Sequence, residues 1–128
     1  DPEQADASER ASEGQQSSRI LVVEDDATLR RLICDLLESS NYDVECAADP
    51  SAALEVGESF SPDLVLCDVV LPSMSGIELA GRLRGGGTRV LYLTGTVARD
   101  ELDGPYLSKP FTPAQLRDAV AAQLSRHD

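Results

Sequence analysis

Glu24-Asp25-Asp26, Asp68, Thr94-Gly95 and Lys109 each follow directly on a short strand-like run of this 128-residue chain. The runs are Ile20–Val23, Leu64–Cys67, Val90–Leu93 and Tyr106–Ser108. Lys109 is the only lysine among the 11 basic residues; the others are arginines. Carboxylates held close together repel, and a divalent cation relieves that repulsion. With no histidine or cysteine offered as a ligand, an oxygen-only set suits Mg²⁺ and not zinc. A cation beside Asp68 lets its carboxylate approach an anionic phosphoryl group as a nucleophile. Lys109 and the Thr94 hydroxyl then engage the transferred oxygens. The chemistry is phosphoryl transfer onto an aspartate. Each feature alone has a plainer explanation: an acid-rich helix start at 24–26, a loop acid at 68, a surface lysine at 109. Their arrival together at the ends of separate strands carries the reading.

The elements that must bring them together alternate in type. Ile20–Val23, Leu64–Cys67 and Val90–Leu93 are continuous apolar runs, the mark of strands buried on both faces. Val44–Ala47 and Tyr106–Ser108 read as shorter strands. Leu29, Leu32, Ile33, Leu36 and Leu37 recur at helical spacing behind a capping Asp26. Asp49-Pro50 opens a second helix, Gly76–Leu83 forms a third that stops at Gly85-Gly86-Gly87, and Thr112-Pro113-Ala114-Gln115 opens the last with a capping box. Strands alternating with helices predict an α/β fold with a parallel sheet covered on both faces. Functional groups in such a sheet gather beyond the carboxyl ends of the strands.

Composition narrows the function. A formal charge of -12 argues against direct nucleic-acid binding. Aromatics at 4% and no Trp leave little for a stacking surface. The longest apolar runs are four residues, whereas a membrane-spanning helix needs roughly 20, and no basic-then-apolar leader is visible. Cys34, Cys46 and Cys67, without a C-x-x-C, read as free thiols in a reducing cytoplasm. Cys34 falls off the main apolar stripe of its helix and Cys67 alternates away from Asp68, so neither resembles an activated thiol. His127, the only histidine, sits in a fraying C-terminus, and Tyr42 and Phe60 read as packing residues. Residues 1–18 read as a flexible linker or tail, because the first nineteen contain nothing apolar larger than Ala; residues 19–128 form the domain. A start at Asp1 and not Met fits either a trimmed chain or a domain cut from a longer protein.

ILVVEDD at 20–26, DLVLCDVVLPSMSG at 63–76, LYLTG at 91–95 and YLSKPF at 106–111 together resemble the receiver domain of two-component response regulators, the CheY-like family. The resemblance implies a doubly wound five-stranded sheet in the order 2-1-3-4-5. It implies Asp68 as phosphoacceptor from a phosphohistidine or small phosphodonor, and Mg²⁺ held by Glu24, Asp25, Asp68 and the backbone carbonyl of Val70. Thr94 is then the hydroxyl that moves toward the phosphoryl group, Lys109 the charged clamp, Tyr106 the aromatic that follows the switch, and Gly95 the small residue that keeps access open. Lys109-Pro110 is the expected cis peptide. The implied partner is a histidine kinase or histidine phosphotransfer domain, with a monomer as the expected state and the cytoplasm as the location. Such a domain catalyses its own phosphorylation and slow dephosphorylation without being a turnover enzyme.

Three departures stand out. Val70 replaces a polar side chain that can orient the hydrolytic water, which predicts modest intrinsic dephosphorylation. Ser75 replaces the family's aspartate. Only ten residues, Thr96 to Pro105, separate Gly95 from Tyr106, too few for a full fourth helix with two loops, so a shortened helix or an irregular loop is expected. That shortening, with the linker-like tail and nothing after Asp128, points to the receiver of a hybrid histidine kinase in preference to a free-standing one. An aspartate-nucleophile phosphatase of the haloacid-dehalogenase type is an alternative, although it wants a second carboxylate where Val70 stands. A flavodoxin-like cofactor binder would need a phosphate loop where Glu24-Asp25-Asp26 stands. A receiver that binds partners without phosphorylation is the remaining alternative.

Overall fold

A computed structural model describes residues 17–85, 87–95, 102 and 104–125. The expectations for residues 1–16, for most of the Thr96–Pro105 connection and for His127 lie outside them. Five strands and four helices are present among the described residues: β1 (Arg19–Val23), α1 (Ala27–Ser39), β2 (Asp43–Ala47), α2 (Pro50–Phe60), β3 (Leu64–Asp68), α3 (Gly76–Leu83), β4 (Arg89–Thr94), β5 (Tyr106–Ser108) and α4 (Pro113–Leu124). All strand pairs are parallel, in the order β2-β1-β3-β4-β5. This is the predicted doubly wound sheet.

Why these residues form these elements is visible at their starts. Asp26 accepts the N–H groups of Thr28 and Leu29, satisfying donors that the first turn of α1 cannot pair internally. Asp49 accepts from Ala52 with Pro50 at the first helical position. Thr112 and Gln115 complete a reciprocal capping box. Ser75 caps α3 by accepting from Glu78 N–H at 3.1 Å.

Alternate residues of the apolar strands feed two cores. Ile20, Val22, Leu64, Leu66, Leu91 and Leu93 pack under α1 and α4, against Ile33, Leu37, Leu116 and Val120. Leu21, Val23, Val65, Cys67, Val90 and Tyr92 pack on the opposite face under α2 and α3, against Ala53, Leu79 and Ala80. Tyr42 and Phe60 are partly buried against these two cores, as expected of packing residues.

The cysteine expectation requires correction. Cys34 and Cys46 are joined as a disulfide, with Cα atoms 6.9 Å apart, and only Cys67 is a free thiol. Cys34 is not off the buried stripe: it is inward-facing with Ile33 and Leu37. Cys46 pairs in register with Val22, whose side chain lies on the α1 face of the sheet. The helix therefore lays one sulfur over the other, a juxtaposition that linear spacing does not disclose. Cys67 is buried, and desolvation pushes its thiol up to about 12, so its reading as an inert thiol stands.

Two glycines mark close approaches of different kinds. A Cβ at Gly76 would overlap the backbone carbonyl of Asp68, whereas one at Gly57 would meet only the tip of the Leu83 side chain. Gly76→Ala is expected to lower unfolding stability by about 3 kcal/mol, while Gly57→Ala stays within about 1 kcal/mol, its helix-propensity gain offsetting a small shift of Leu83. Urea unfolding of the two variants against the parent chain checks both values.

Candidate functional site

The site stands at the carboxyl edge of the three central strands. Val23 of β1 is in register with Cys67 of β3, so the next residues, Glu24 and Asp68, emerge side by side. On the other flank Asp68 is in register with Leu93 of β4, which sets Thr94 one step further along. Thr94 in turn faces Ser108 of β5, and the Thr94 carbonyl accepts the Lys109 N–H at 2.8 Å. Parallel pairing alone thus delivers two acids, a hydroxyl and an amine to one edge.

Glu24, Asp68 and Thr94 are buried, an unusual state for polar residues and a costly one without partners. Lys109 supplies much of the compensation: its Nζ donates to Glu24 Oε1 and to Asp68 Oδ2, each at 3.0 Å. The other Glu24 oxygen accepts the Asp26 N–H at 3.1 Å, and Asp68 Oδ1 accepts the Val70 N–H at 3.1 Å. Asp25 is exposed at the rim. One carboxylate oxygen from each of Glu24, Asp25 and Asp68 can be chosen so that all three lie within 4.8 Å of one another. Three acids at the ends of two adjacent strands, with one lysine against them, form a net negative, oxygen-only donor set. That set fits a hard divalent cation.

Charge crowding registers in the acid–base properties. Burial raises the Glu24 carboxyl above its ordinary value, and the Asp68 charge adds to this, against the lowering effect of the Lys109 and Asp26 hydrogen bonds. For Lys109 burial acts to lower the ammonium, yet the hydrogen bonds to Glu24 and Asp68 prevail and raise it. The lysine is therefore held charged.

The remaining predicted residues take distinct places. Gly95 has open space where a Cβ would stand. Val70 is 75% exposed just beyond Asp68, its side chain turned to solvent. Lys109-Pro110 is cis. Tyr106 is not brought into the carboxylate cluster: it begins β5 opposite Tyr92 and lines a cleft with Arg84 and Arg89.

Three supporting residues were not singled out from the sequence. Arg30 Nη1 donates to the Glu24 carbonyl at 2.9 Å, a position foreseeable only from its place one turn after the Asp26 cap. The Ala47 carbonyl of β2 accepts the Glu24 N–H at 3.2 Å. Gly76 lets the chain close behind Asp68, with its N–H donating to the Val69 carbonyl at 2.8 Å; a glycine eight residues after the acid is its only trace in the sequence.

Among described residues no helix is long and apolar enough to cross a membrane. Residues 20–121 match the model of the response regulator receiver domain. The chain is 35% identical over 121 residues to the alkaline phosphatase synthesis transcriptional regulatory protein PhoP of Bacillus subtilis, covering 88% of this chain and 50% of that one. It is 37% identical over 118 residues to the DNA-binding response regulator MtrA of Mycobacterium tuberculosis, covering 86% and 52%. It thus spans about half the length of these curated relatives. Among solved structures, a CheY-like receiver domain protein from Methanospirillum hungatei superposes with a TM-score of 0.79 at 30% identity, covering 88% of this chain and 97% of that one. A receiver domain protein from Clostridium thermocellum does so with a TM-score of 0.76 at 28% identity, covering 85% and 95%. An acidic edge built by adjacent parallel strands, a lysine reaching it from the last strand and a family match over residues 20–121 lead to one assignment: this chain belongs to the response regulator receiver domain family of two-component signalling.

Proposed function

We propose that Asp68 accepts a phosphoryl group from a phosphohistidine, with Mg²⁺ held by Glu24, Asp25, Asp68 and the Val70 carbonyl, and that the modified surface is read by a partner. The observation that carries this reading is the double contact of Lys109 with Glu24 and Asp68 at 3.0 Å, beside an exposed Asp25. Bound Mg²⁺ supplies positive charge that lets a phosphoryl anion approach an otherwise negative site. Asp68 provides the attacking oxygen. Its Oδ1 is oriented by the Val70 N–H, and Oδ2 by Lys109. The lysine, held protonated by its two partners, is poised to follow the added charge onto the phosphoryl oxygens. Thr94 offers its hydroxyl from β4, and Gly95 leaves the approach open.

A phosphoryl group brings roughly two negative charges at neutral pH. Movement of Thr94 toward it repacks the strand beside β5, and Tyr106 carries the change to the surface formed with Arg84 and Arg89. Residues 19–128 act as the receiver unit and residues 1–18 as its linker, in the cytoplasm and as a monomer. The phosphoryl source is a histidine kinase or a histidine phosphotransfer domain. The ten-residue Thr96–Pro105 connection favours the receiver of a hybrid histidine kinase. The similarity to MtrA favours a second setting, a DNA-binding regulator whose other half lies outside this sequence. Phosphotransfer rates distinguish them: faster transfer from histidine phosphotransfer domains than from kinases supports the hybrid setting.

Incubation with Mg²⁺ and acetyl phosphate, read by intact mass, is expected to add one phosphoryl group. Chelating the metal or substituting Asp68→Asn abolishes the gain, and a gain that survives Asp68→Asn overturns the assignment. Once phosphorylated, the parent chain loses the group slowly. Val70→Asn, which restores a polar group able to orient water, is expected to speed that loss several-fold in a time course of the same mass peak. Finally, Lys109→Ala leaves two buried carboxylates facing each other and is expected to lower stability by about 1–3 kcal/mol in metal-free buffer. Thermal melts should show added Mg²⁺ raising the melting temperature of Lys109→Ala more than that of the parent.

A further inference from the structure

Cys34 and Cys46 lie apart from the carboxylate site, and phosphoryl transfer makes no use of them. Cys34 is 5% exposed within the inward face of α1, while Cys46 is exposed on β2. Among the described residues β2 is an edge of the sheet and pairs with β1 alone. The two Cα atoms stand 6.9 Å apart, at the upper end of the separation that a disulfide spans without backbone movement.

We propose that Cys34 and Cys46 form a reversible thiol–disulfide site that pins the edge strand β2 to α1. Cys46 is the exposed residue of the pair and Cys34 the shielded one, which orders the steps. The Cys46 thiolate attacks a sulfur of a small-molecule disulfide, forming a mixed disulfide and expelling one thiolate. Cys34, after losing its proton, attacks the Cys46 sulfur and expels the second. The pair gives up two electrons and two protons, and the oxidant becomes two thiols. An external dithiol runs the exchange backwards, again entering at Cys46. Cys67 does not compete, being buried on the opposite face of the sheet.

The link acts where the sheet is weakest. An edge strand with a partner on one side only opens before the central strands do. Closing the bond ties β2 back across the twelve-residue separation between the two cysteines and restricts the open state. The effect reaches the carboxylate edge through the backbone, because Ala47, next to Cys46, accepts the Glu24 N–H.

The test uses the full chain, fully reduced and then exposed to 2-hydroxyethyl disulfide, a neutral oxidant chosen because the chain carries a formal charge of -12. Alkylation with iodoacetamide under denaturing conditions and intact mass then count the thiols. The expected result is one alkyl group on the oxidised chain and three on the reduced one, with a proteolytic fragment joining Cys34 to Cys46 that dithiothreitol releases. Three alkyl groups after oxidation, a mixed adduct that persists on Cys46 in the parent, or a link to Cys67 overturns the proposal. Such an adduct is expected to persist only in Cys34→Ser. The oxidised chain is expected to melt roughly 5–15 °C above the reduced one, with amide exchange in residues 43–47 slowed at least tenfold. Cys46→Ser, altered only at the exposed position, should show neither response to the oxidant. Equal melting and equal exchange in the two forms overturn the pinning role.

Discussion

The fold is organised around an electrostatic imbalance: three carboxylates meet one ammonium at the edge of an apolar sheet. Glu24 and Asp68 cannot avoid each other, because Val23 and Cys67 are paired one residue earlier on adjacent strands. Burying both would be prohibitive if they faced only hydrocarbon. Lys109 offsets much of that cost, and backbone N–H groups from Asp26 and Val70 take up the outward oxygens. Asp25 remains at the rim and leaves the cluster net negative. A site balanced in this way is stable enough to fold and still short of positive charge, the condition under which a cation binds and an anionic group can then be admitted.

The surrounding backbone keeps this arrangement from relaxing. Asp26 works in two directions, capping α1 with its side chain and holding Glu24 with its own N–H. Arg30, one turn on, reaches back to the Glu24 carbonyl. On the β3 side, Gly76 lets α3 start in contact with the Asp68 carbonyl, where any side chain would force the two apart. Ser75 shows how a departure from the family pattern is absorbed: its hydroxyl serves as the N-cap of α3, a role that serine fills as well as aspartate.

How much of this was legible follows from which forces are local. The β1, β3 and β4 strands announce themselves as unbroken apolar runs because both of their faces are covered, and the helix starts at Asp26, Asp49 and Thr112 announce themselves because caps are short-range hydrogen bonds. Polar residues at the ends of those runs then point to one edge of a parallel sheet. The cysteine pair was not legible. Cys34 follows Ile33 directly, and its inward position depends on how α1 is rotated over the sheet, which spacing within the helix leaves open. Cys46 sits on an edge strand whose mostly exposed residues give little alternation to read. Gly76 was visible as a helix start, but its overlap with Asp68 depends on a turn closing in three dimensions. Ser18, Asp63 and Pro62, whose carbonyls or carboxylates tie loop backbone to strand ends, are likewise silent in the sequence.

The same distinction separates what is fixed in the site from what is free to respond. The Glu24 N–H is held by the Ala47 carbonyl, Asp68 is paired with Leu93 of β4, and the Lys109 main chain is tied to the Thr94 carbonyl. Strand register leaves only side-chain atoms to adjust: the end of the lysine, the threonine hydroxyl and the exposed Asp25. On the proposed reading, added phosphoryl charge must be met by those atoms, since shifting a central strand would break ladders on both of its edges. Thr94 is the one among them that sits inside the sheet, next to β5 and its exposed Tyr106. A response that begins as a side-chain rotation there has a short path to the surface, whereas one that began at Glu24 would have to travel through β2. On the proposed reading, the outward signal belongs to the β4–β5 side, and the proposed cysteine site leaves the β2 side to govern how firmly the carboxylate edge is held.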